Sequence, residues 1–253
     1  MIARDRARAE AAQAWIVQQV PQASTELIVA DLSLLVATRD AGERIASRHP
    51  TISVLVNNAG IFDAKPVFTM EGRERVLATN LLAPFVLTST LLPVLRAGVP
   101  SRIINIGSST SDRARIDPDR LVLGKNWTMV RAYGQSKLAL MMTTFALAKR
   151  LEGTGVVTNI IHPGLVATGL VRTGGITGLV WRGLAPFALS EEQGADTALY
   201  AALAPEVATV SGVYLKNRRA VRPNRRALDP VLVERVWTAT ERLTAEPAQP
   251  TRA

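Results

Sequence analysis

Residues 131–151 read R-A-Y-G-Q-S-K-L-A-L-M-M-T-T-F-A-L-A-K-R-L, and their pattern predicts one long amphipathic helix. Apolar side chains recur along it at intervals of three and four, and Gly153 follows where a left-handed cap is expected. On such a helix Tyr133 and Lys137 project from the same face. A nearby ammonium favours the phenolate, so this pair could exchange a proton near neutral pH. The simpler interpretation is that the two are surface neighbours.

The remainder of the chain alternates short apolar runs with helical segments. Strands are predicted at residues 26–32, 52–56, 102–106, 156–161 and 211–215, and helices at residues 4–20, 33–48, 70–95, 131–151, 191–203 and 229–243. This alternation predicts βαβ units, and the continuous Val, Ile and Leu runs predict a parallel sheet that is buried on both faces. The expected fold class is a doubly wound, Rossmann-like α/β domain over residues 1–243. Residues 244–253 are expected to form a flexible tail.

Two local features refine the predicted helices. Ser33 precedes the helix at residues 33–48 and is a suitable N-cap, because its hydroxyl can accept a free N–H of the first turn. Pro84 lies inside the helix at residues 70–95 and predicts a kink there.

The composition of the chain restricts its chemistry. The 253 residues include no cysteine and only two histidines, His49 and His162. A thiolate nucleophile is therefore excluded, and no metal site is expected. His162 is assigned no catalytic part. Any chemistry is expected to come from hydroxyl, amide, lysine and carboxylate groups.

The formal net charge of +9 raises the alternative of a nucleic-acid partner. The basic side chains are densest in K-N-R-R-A-V-R-P-N-R-R, residues 216–226, which is predicted to be a solvated loop. The most apolar run, residues 81–95, contains polar residues and prolines and is shorter than the ~20 residues of a membrane span. We therefore expect no nucleic-acid partner and no membrane span, and a cytoplasmic location.

Polar and small residues follow several of the predicted strands directly. They are Asp31, N-N-A-G at residues 57–60, G-S-S at residues 107–109 and H-P-G at residues 162–164. In doubly wound sheets, ligands bind at the carboxyl ends of the strands. Tyr133 and Lys137 begin a helix that would pass the same rim, which favours a functional site over coincidence.

With these motifs in order, the sequence resembles the short-chain dehydrogenase/reductase family. The resemblance rests on N-N-A-G at residues 57–60, Asn80 in a helix, Ser108 after a strand, Y-G-Q-S-K at residues 133–137 and P-G-L-V-A-T at residues 163–168. The segment T-M-E-G-R-E-R-V-L-A-T-N-L-L-A-P-F-V-L-T, residues 69–88, is similar to the retinol-dehydrogenase-like branch. The resemblance implies an oxidoreductase that transfers a hydride between a nicotinamide dinucleotide and an alcohol or carbonyl compound.

The resemblance also implies catalytic roles for particular residues. Tyr133 would donate or accept the proton, and Lys137 would lower its pKa and hold the nicotinamide ribose. Ser108, with Ser109 as its rival, would hydrogen-bond the substrate oxygen. Asn80 would hold a water or backbone link in a proton relay, and the simpler alternative is that it satisfies a buried backbone group.

The cofactor contacts implied by the resemblance follow the same rim. Asp31 and Leu32 would face the adenine edge, and Asn58, Ala59 and Gly60 the adenosine ribose. Pro163, Gly164 and Thr168 would border the nicotinamide, next to Tyr133 and Lys137. Local alternatives remain: Asp31 could cap the following helix, and Pro163-Gly164 could be an ordinary turn.

One part of the family pattern has no counterpart in this sequence. The family begins with a strand, a glycine-rich turn, a helix and a second strand, and none of these is expected here, where the first glycine is Gly42. The expected fold is therefore N-terminally truncated, and the strand at residues 26–32 is expected to lose its neighbours. Either the recorded start is an internal methionine, or the short chain is a non-catalytic fragment or interaction module. Intact downstream positions favour the first explanation.

Two further features indicate which cofactor and which class of substrate the protein uses. Arg4 stands where the resembling branch places an arginine on the 2′-phosphate, which favours NADP(H), with NAD(H) as the alternative. Residues 169–187, rich in Leu and Val and including Trp181 and Phe187, occupy the position of the substrate lid. They suggest an apolar alcohol or carbonyl substrate. Homo-oligomer formation is left open.

Overall fold

The structure is a computed structural model that describes residues 1–164 and 190–246. Its strands are β1 Ile2–Ala3, β2 Ile28–Val29, β3 Val54–Asn57, β4 Ser101–Ile106, β5 Val156–His162, β6 Tyr214–Lys216 and β7 Arg219–Ala220. Its helices are α1 Arg6–Gln19, α2 Leu35–Arg48, α3 Arg75–Leu77, α4 Ala83–Ala97, α5 Met129–Arg150, α6 Glu191–Leu203 and α7 Pro230–Ala245. The predicted α/β class is confirmed.

The strands form two separate sheets. The larger has the order β3-β4-β5-β6-β7, parallel as far as β6 and closed by an antiparallel β7. In the smaller, β1 and β2 pair in parallel, so β2 has only one neighbour among the described residues. The predicted strand at residues 26–32 is reduced to Ile28–Val29, and β1 was not predicted. Both strands are short because few partners are available to them.

Helices cover both faces of the larger sheet, as the continuous apolar strands predicted. Ile103 of β4 packs in a cluster with Leu91 and Leu95 of α4, whereas the next residue, Ile104, packs against Ala201 of α6. Successive side chains of a strand point to opposite faces, so α4 and α6 lie on opposite sides of the sheet. The α/β layering is therefore doubly wound around β4 and β5.

Helix α5 forms the centre of the fold and confirms the prediction for residues 131–151. The hydroxyl of Thr128 accepts the N–H of Arg131 and begins the helix slightly earlier than predicted. Leu138, Met141 and Met142 are completely buried in the main hydrophobic cluster. Burying side chains of this size contributes about 2 kcal/mol each, so these three residues fix α5 in the core.

The predicted helix at residues 70–95 is divided into three parts. Glu74 accepts the N–H groups of Val76 and Leu77, so that α3 begins at residue 75 rather than 70. A π-helical turn, Ala78–Leu82, then joins α3 to α4. Pro84 lies in the first turn of α4, where proline is tolerated, so the irregularity precedes the predicted kink.

The loop before α3 forms hydrogen bonds to the ends of two helices, α2 and α7, that are distant in sequence from it. The Glu71 carboxylate accepts the N–H groups of Leu35 and Val36 at 2.8 and 3.0 Å and caps α2. Arg73, paired with Glu71 at 3.7 Å, donates to the Leu243 carbonyl near the end of α7. The prediction that Ser33 caps α2 was wrong, because a carboxylate distant in sequence does so. The T-M-E-G-R-E motif therefore serves the fold.

The C-terminal region also differs from its prediction. The basic run at residues 216–226 contains the β6–β7 hairpin, turned by Asn217 and Arg218 with φ of 49° and 60°, so it is not a plain loop. Helix α7 extends to Ala245, beyond the predicted start of the tail at residue 244. Residues 247–253 lie outside the described part of the chain.

The apolar stretch Arg75–Ala97 is long and apolar enough by composition to cross a membrane. Most of it is buried within the described part of the protein, and a core helix of a soluble protein has the same character. It is therefore weak support for a span.

Replacing Glu71 with alanine should remove the carboxylate cap of α2. We expect the free energy of unfolding in urea to fall by about 1–2 kcal/mol, because two N–H groups lose their acceptor. The control is Glu43→Ala, which changes an exposed carboxylate on α2 itself. An equal loss for both variants would contradict the assignment of the cap.

Candidate active site

The carboxyl ends of β3, β4 and β5 lie side by side and form the rim predicted from the sequence. Asn57 of β3 is in register with Asn105 of β4, and Ile106 of β4 is in register with Ile161 of β5. The segments that follow these strands therefore meet at one edge of the sheet. They are residues 58–60, 107–108 and 163–164.

A buried polar network aligns these strand ends with the helices behind them. The Asn57 amide donates to the Asn105 side chain at 2.8 Å and to the Thr88 hydroxyl on α4 at 3.1 Å. The Asn105 amide in turn donates to the Thr144 hydroxyl on α5 at 2.9 Å. Leaving any of these buried groups unpaired would cost about 1–3 kcal/mol, so the network favours one alignment of strands and helices. Sequence reasoning missed this role of Asn57 and Asn105.

Lys137 lies at the centre of the rim. Its side chain is 3% exposed, and its Nζ donates to the Ile106 carbonyl at the end of β4, 2.8 Å away. Burial lowers the pKa of this ammonium to about 8. An added Cβ at Gly60 would lie 3.3 Å from Nζ, so the glycine leaves open the space above the lysine. An ammonium has three donors, and the bond to Ile106 uses one of them.

Tyr133 lies one turn earlier on α5 and is 9% exposed. The ring of Phe62 packs edge-on against it, with 4.9 Å between centroids. Burial raises the pKa of the Tyr133 hydroxyl, and the Ser108 hydroxyl lowers it by a smaller amount. The Lys137 ammonium lies 5.9 Å from the centre of the ring. The expectation that Lys137 lowers the pKa of Tyr133 is therefore not met in this structure, because desolvation outweighs other effects.

The structure favours Ser108 over Ser109 as the partner of Tyr133. Ser108 is half-buried and lowers the pKa of Tyr133 through a side-chain hydrogen bond, whereas Ser109 is exposed. The Ser108 hydroxyl accepts from the N–H and hydroxyl of Thr110 at 3.3 and 3.1 Å. Because Oγ accepts both of these bonds, its own proton is available for the Tyr133 hydroxyl.

Asn80 is completely buried in the π-helical turn between α3 and α4. Its side chain accepts the N–H of Ile61 at 2.8 Å and donates to the Ile61 carbonyl at 3.0 Å, and it also donates to Ser136 at 3.1 Å. Asn80 therefore satisfies buried backbone groups of Ile61, which is the simpler alternative considered from the sequence. An added Cβ on Gly60 would lie 3.6 Å from its Oδ1, so Asn80 also borders the space beside Lys137.

The predicted cofactor residues are distributed along the rim. Asn58 and Ala59 are exposed, whereas Gly60, Pro163 and Gly164 are half-buried. Gly107, between β4 and Ser108, donates to the Ile161 carbonyl at 2.7 Å, and an added Cβ would meet that carbonyl at 3.0 Å. The need for glycine at residue 107 was not recognised from the sequence. Thr168 and the expected lid, residues 169–187, lie outside the described residues.

The remaining predicted contacts belong to the smaller sheet. Asp31 and Leu32 follow β2. Asp31 accepts the N–H of Ser33 at 2.9 Å in a turn that precedes α2, whereas the first N–H groups of α2 bond to Glu71, so Asp31 does not cap the helix as its alternative expected. The hydrogen bond to Asp63 raises the pKa of the Arg75 guanidinium, and the charge of Asp31 raises it further by a smaller amount. Asp31 is therefore close to the segment that follows the N-N-A-G motif. Arg4 follows β1 and is exposed.

Comparison with known proteins agrees with this geometry. The family profile described as short chain dehydrogenase matches residues 1–175. Mouse retinol dehydrogenase 12 is 33% identical over 94% of this chain and 75% of its own length. Human retinol dehydrogenase 14 is 34% identical, with 94% and 76% covered. The protein belongs to the short-chain dehydrogenase family, and the predicted resemblance is confirmed.

Solved structures share the fold. A putative uncharacterized protein from Mycobacterium paratuberculosis has a TM-score of 0.76 and 28% identity, with 98% of this chain and 84% of that chain covered. A short chain dehydrogenase from Burkholderia cenocepacia, solved in complex with NADP, has a TM-score of 0.66 and 26% identity, with 85% and 83% covered. The mostly parallel sheet described above is therefore that of the family.

The buried ammonium of Lys137 predicts a pH dependence of stability. Its pKa of about 8 in the folded protein lies below the ordinary 10.5, so between these values the unfolded chain binds the extra proton. Stability should therefore rise with pH in this window. Relative to Lys137→Met, we expect the wild type to gain about 2 kcal/mol between roughly pH 8 and 10 in urea titrations.

The matched control is Lys149→Met, which changes an exposed ammonium on the same helix. It should keep the wild-type slope of stability against pH. A wild type whose slope equals that of Lys137→Met would show that the lysine is not desolvated.

Proposed function

We propose that this protein is an oxidoreductase that transfers a hydride between NADP(H) and an apolar alcohol or carbonyl compound, with Tyr133 as the general acid/base. The observation that carries the proposal is the meeting of Tyr133, Ser108 and Lys137 at the ends of β4 and α5. Two of these groups are buried, and Ser108 acts directly on Tyr133. A hydroxyl donor beside a proton source is what the reduction of a carbonyl requires.

We infer that the ribose and ring of a nicotinamide cofactor lie beside Lys137, where Gly60 has no side chain. The absent side chain of Gly60 leaves room within 3.3 Å of Nζ, and the exposed Asn58 and Ala59 continue the same edge. Lys137 would hold the ribose hydroxyls, with Gly60 and Pro163-Gly164 on either side. When bound, the dinucleotide supplies or accepts the hydride.

In the reducing direction, Tyr133 gives its proton to the substrate oxygen. Its raised pKa favours the protonated form that this step needs. Ser108 donates a hydrogen bond to the same oxygen, where negative charge develops as the carbon is reduced. In the oxidising direction, the phenolate takes the proton back. Asn80, through Ile61 and Ser136, holds the backbone around this proton path.

Support for NADP(H) comes from Arg4. Arg6 pairs with Glu10 at 3.3 Å and Arg8 with Asp5 at 3.6 Å, whereas in the described part of the chain no carboxylate pairs with Arg4. An exposed arginine after β1 is suited to a 2′-phosphate. The Burkholderia cenocepacia dehydrogenase of the same fold was solved with NADP bound, which supports the same choice. NAD(H) is the alternative.

Support for an apolar substrate comes from the composition of residues 169–187 and from the names of the relatives, which are retinol dehydrogenases. A small-molecule partner, a cytoplasmic location and the absence of a nucleic-acid partner and of a membrane span complete the proposal. The proposed function is compatible with a monomer or a homo-oligomer.

A second candidate is a non-catalytic module of the same fold that cannot hold the dinucleotide. One observation favours it: among the described residues, no hydrogen bond joins the β1-β2 sheet to the five-stranded sheet. In the described part of the chain, β3 is an edge strand, and its Val56 is 43% exposed. Adding a strand, glycine-rich turn and helix at this edge would complete the family pattern.

Turnover decides between the two candidates. NADPH oxidation should be measured with a panel of apolar aldehydes and ketones, for the 253-residue chain and for a chain with a short-chain dehydrogenase's strand, glycine-rich turn and helix fused before Met1. Activity of the 253-residue chain supports the oxidoreductase. Activity of the extended chain alone would show that Tyr133, Ser108 and Lys137 are competent and that the 253-residue chain by itself does not hold the dinucleotide. Inactivity of both, with NADPH binding also absent in fluorescence titrations, would favour the non-catalytic module.

Replacing Tyr133 with phenylalanine should remove the proton donor and keep the packing against Phe62. We expect kcat to fall by about 10²–10⁴-fold while the KM for NADPH changes little. Tyr200→Phe, on α6 outside the rim, is the control. A kcat that stays near the wild-type value in Tyr133→Phe would rule out the assigned role.

Replacing Arg4 with alanine should weaken the preference for NADPH over NADH. We expect the KM for NADPH to rise about tenfold and that for NADH to stay unchanged, because only NADPH carries the 2′-phosphate. Arg6→Ala is the control, since Arg6 is engaged with Glu10. Equal KM values for both cofactors in the wild type would contradict the assignment.

A further inference from the structure

His162, for which no catalytic part was expected from the sequence, ends β5 at the rim and is 5% exposed. Its Nδ1 accepts the N–H of Gly164 at 2.6 Å. Nδ1 must therefore be unprotonated, and Nε2 carries the proton of the neutral ring. In the described part of the chain Nε2 is buried without a hydrogen-bond partner. The ring is thus held in one tautomer by a single backbone bond.

This bond closes the turn that follows β5. Pro163 lies between the two partners, and Gly164 has φ of +84°, a conformation that favours glycine. A side chain that accepts the N–H two residues later is the usual behaviour of Asn and Asp in turns. Here a histidine does the same, and its bond depends on the imidazole remaining neutral.

The turn is connected directly to the residues proposed to carry the reaction. The carbonyl of Ile161, next to His162, accepts the N–H of Gly107, which precedes Ser108. The neighbouring carbonyl of Ile106 holds Lys137. A displacement of residues 162–164 would therefore change the edge along which the nicotinamide is proposed to lie.

We propose that His162 is a positioning residue whose neutral imidazole holds the turn at residues 162–164, and that protonation of the ring releases the turn and weakens cofactor binding. This inference rests on the oxidoreductase function proposed above. Protonated Nδ1 becomes a donor, so it can no longer accept the N–H of Gly164. The dinucleotide site would then lose one of its borders in acid.

Two charged groups, Lys216 and Asp112, act on the ring in the described part of the chain. Burial lowers the pKa of His162 below the ordinary 6.5. Lys216, which is its register partner on β6, lowers it further by a smaller amount. Asp112, in the turn at residues 109–113, raises it by less. Tyr214 of β6 donates its hydroxyl to Asp112 at 3.1 Å, which engages that carboxylate. The ring is therefore neutral at neutral pH, as the turn requires.

Two substitutions separate positioning from titration. His162→Asn can accept the Gly164 N–H and does not titrate, whereas His162→Leu can do neither. We expect the wild-type KM for NADPH to be constant above pH 6.5 and to rise about tenfold in acid, with a smaller change in kcat. The asparagine variant should lose this acid rise, and the leucine variant should have a raised KM at every pH. His49→Asn, which removes the other histidine, should keep the wild-type profile.

An NMR measurement tests the same proposal without turnover. In protein labelled with ¹⁵N-histidine, the wild-type ring should carry its proton on Nε2 at neutral pH, and the Gly164 amide should shift as the ring titrates. A proton on Nδ1, an unchanged KM in His162→Leu, or an acid rise that persists in His162→Asn would each overturn the proposal. Absence of NADPH turnover and binding in the wild type would instead overturn the proposed function, and the tautomer would still decide the role of His162 in the turn.

Discussion

The burial of the Lys137 ammonium is the constraint on which the site depends. Moving a charge out of water is costly unless it finds partners, and the Ile106 carbonyl is the partner that this structure provides. That bond requires the end of β4 to lie beside the third turn of α5, with Gly60 beside them to leave space. The same placement sets Tyr133 under Phe62 and next to Ser108. A depressed lysine pKa and a raised tyrosine pKa both follow, because the pocket is poorly solvated.

The rigidity of this arrangement comes from polar side chains that carry no proposed chemistry. Asn57 and Asn105 connect β3 and β4 to helices α4 and α5 through Thr88 and Thr144. These bonds lie below the rim and hold its segments in register, as a reaction with a narrow geometric tolerance requires. The free edge of β3 contrasts with this order, since no strand pairs there in the described residues. The site is therefore well organised around β4, β5 and α5, and less enclosed on the side of β3.

Sequence reasoning succeeded where local pattern and burial agree. Helices α5 and α6 and strands β4 and β5 lie within two residues of their predicted bounds, because their apolar residues follow the period of the element. It failed where a distant group intervened. Glu71, not Ser33, caps α2; Glu74 and a π-helical turn divide the helix predicted at residues 70–95; and part of the basic run pairs as a hairpin. None of these contacts leaves a periodic signal at the affected residues.

The sequence by itself determined the α/β class, the order of elements and the set of residues at the strand ends, because periodicity and the spacing of short motifs are local properties of the chain. It also supplied the family, which the profile match over residues 1–175 confirmed. Only the tertiary structure decided the electrostatics. Burial sets the direction of the pKa shifts of Tyr133 and Lys137 against the simple expectation for a neighbouring cation. Likewise, the proposed role of His162 depends on its bond to the Gly164 N–H and on the neighbouring strand β6. The burial that shifts these pKa values comes from segments that are distant in sequence.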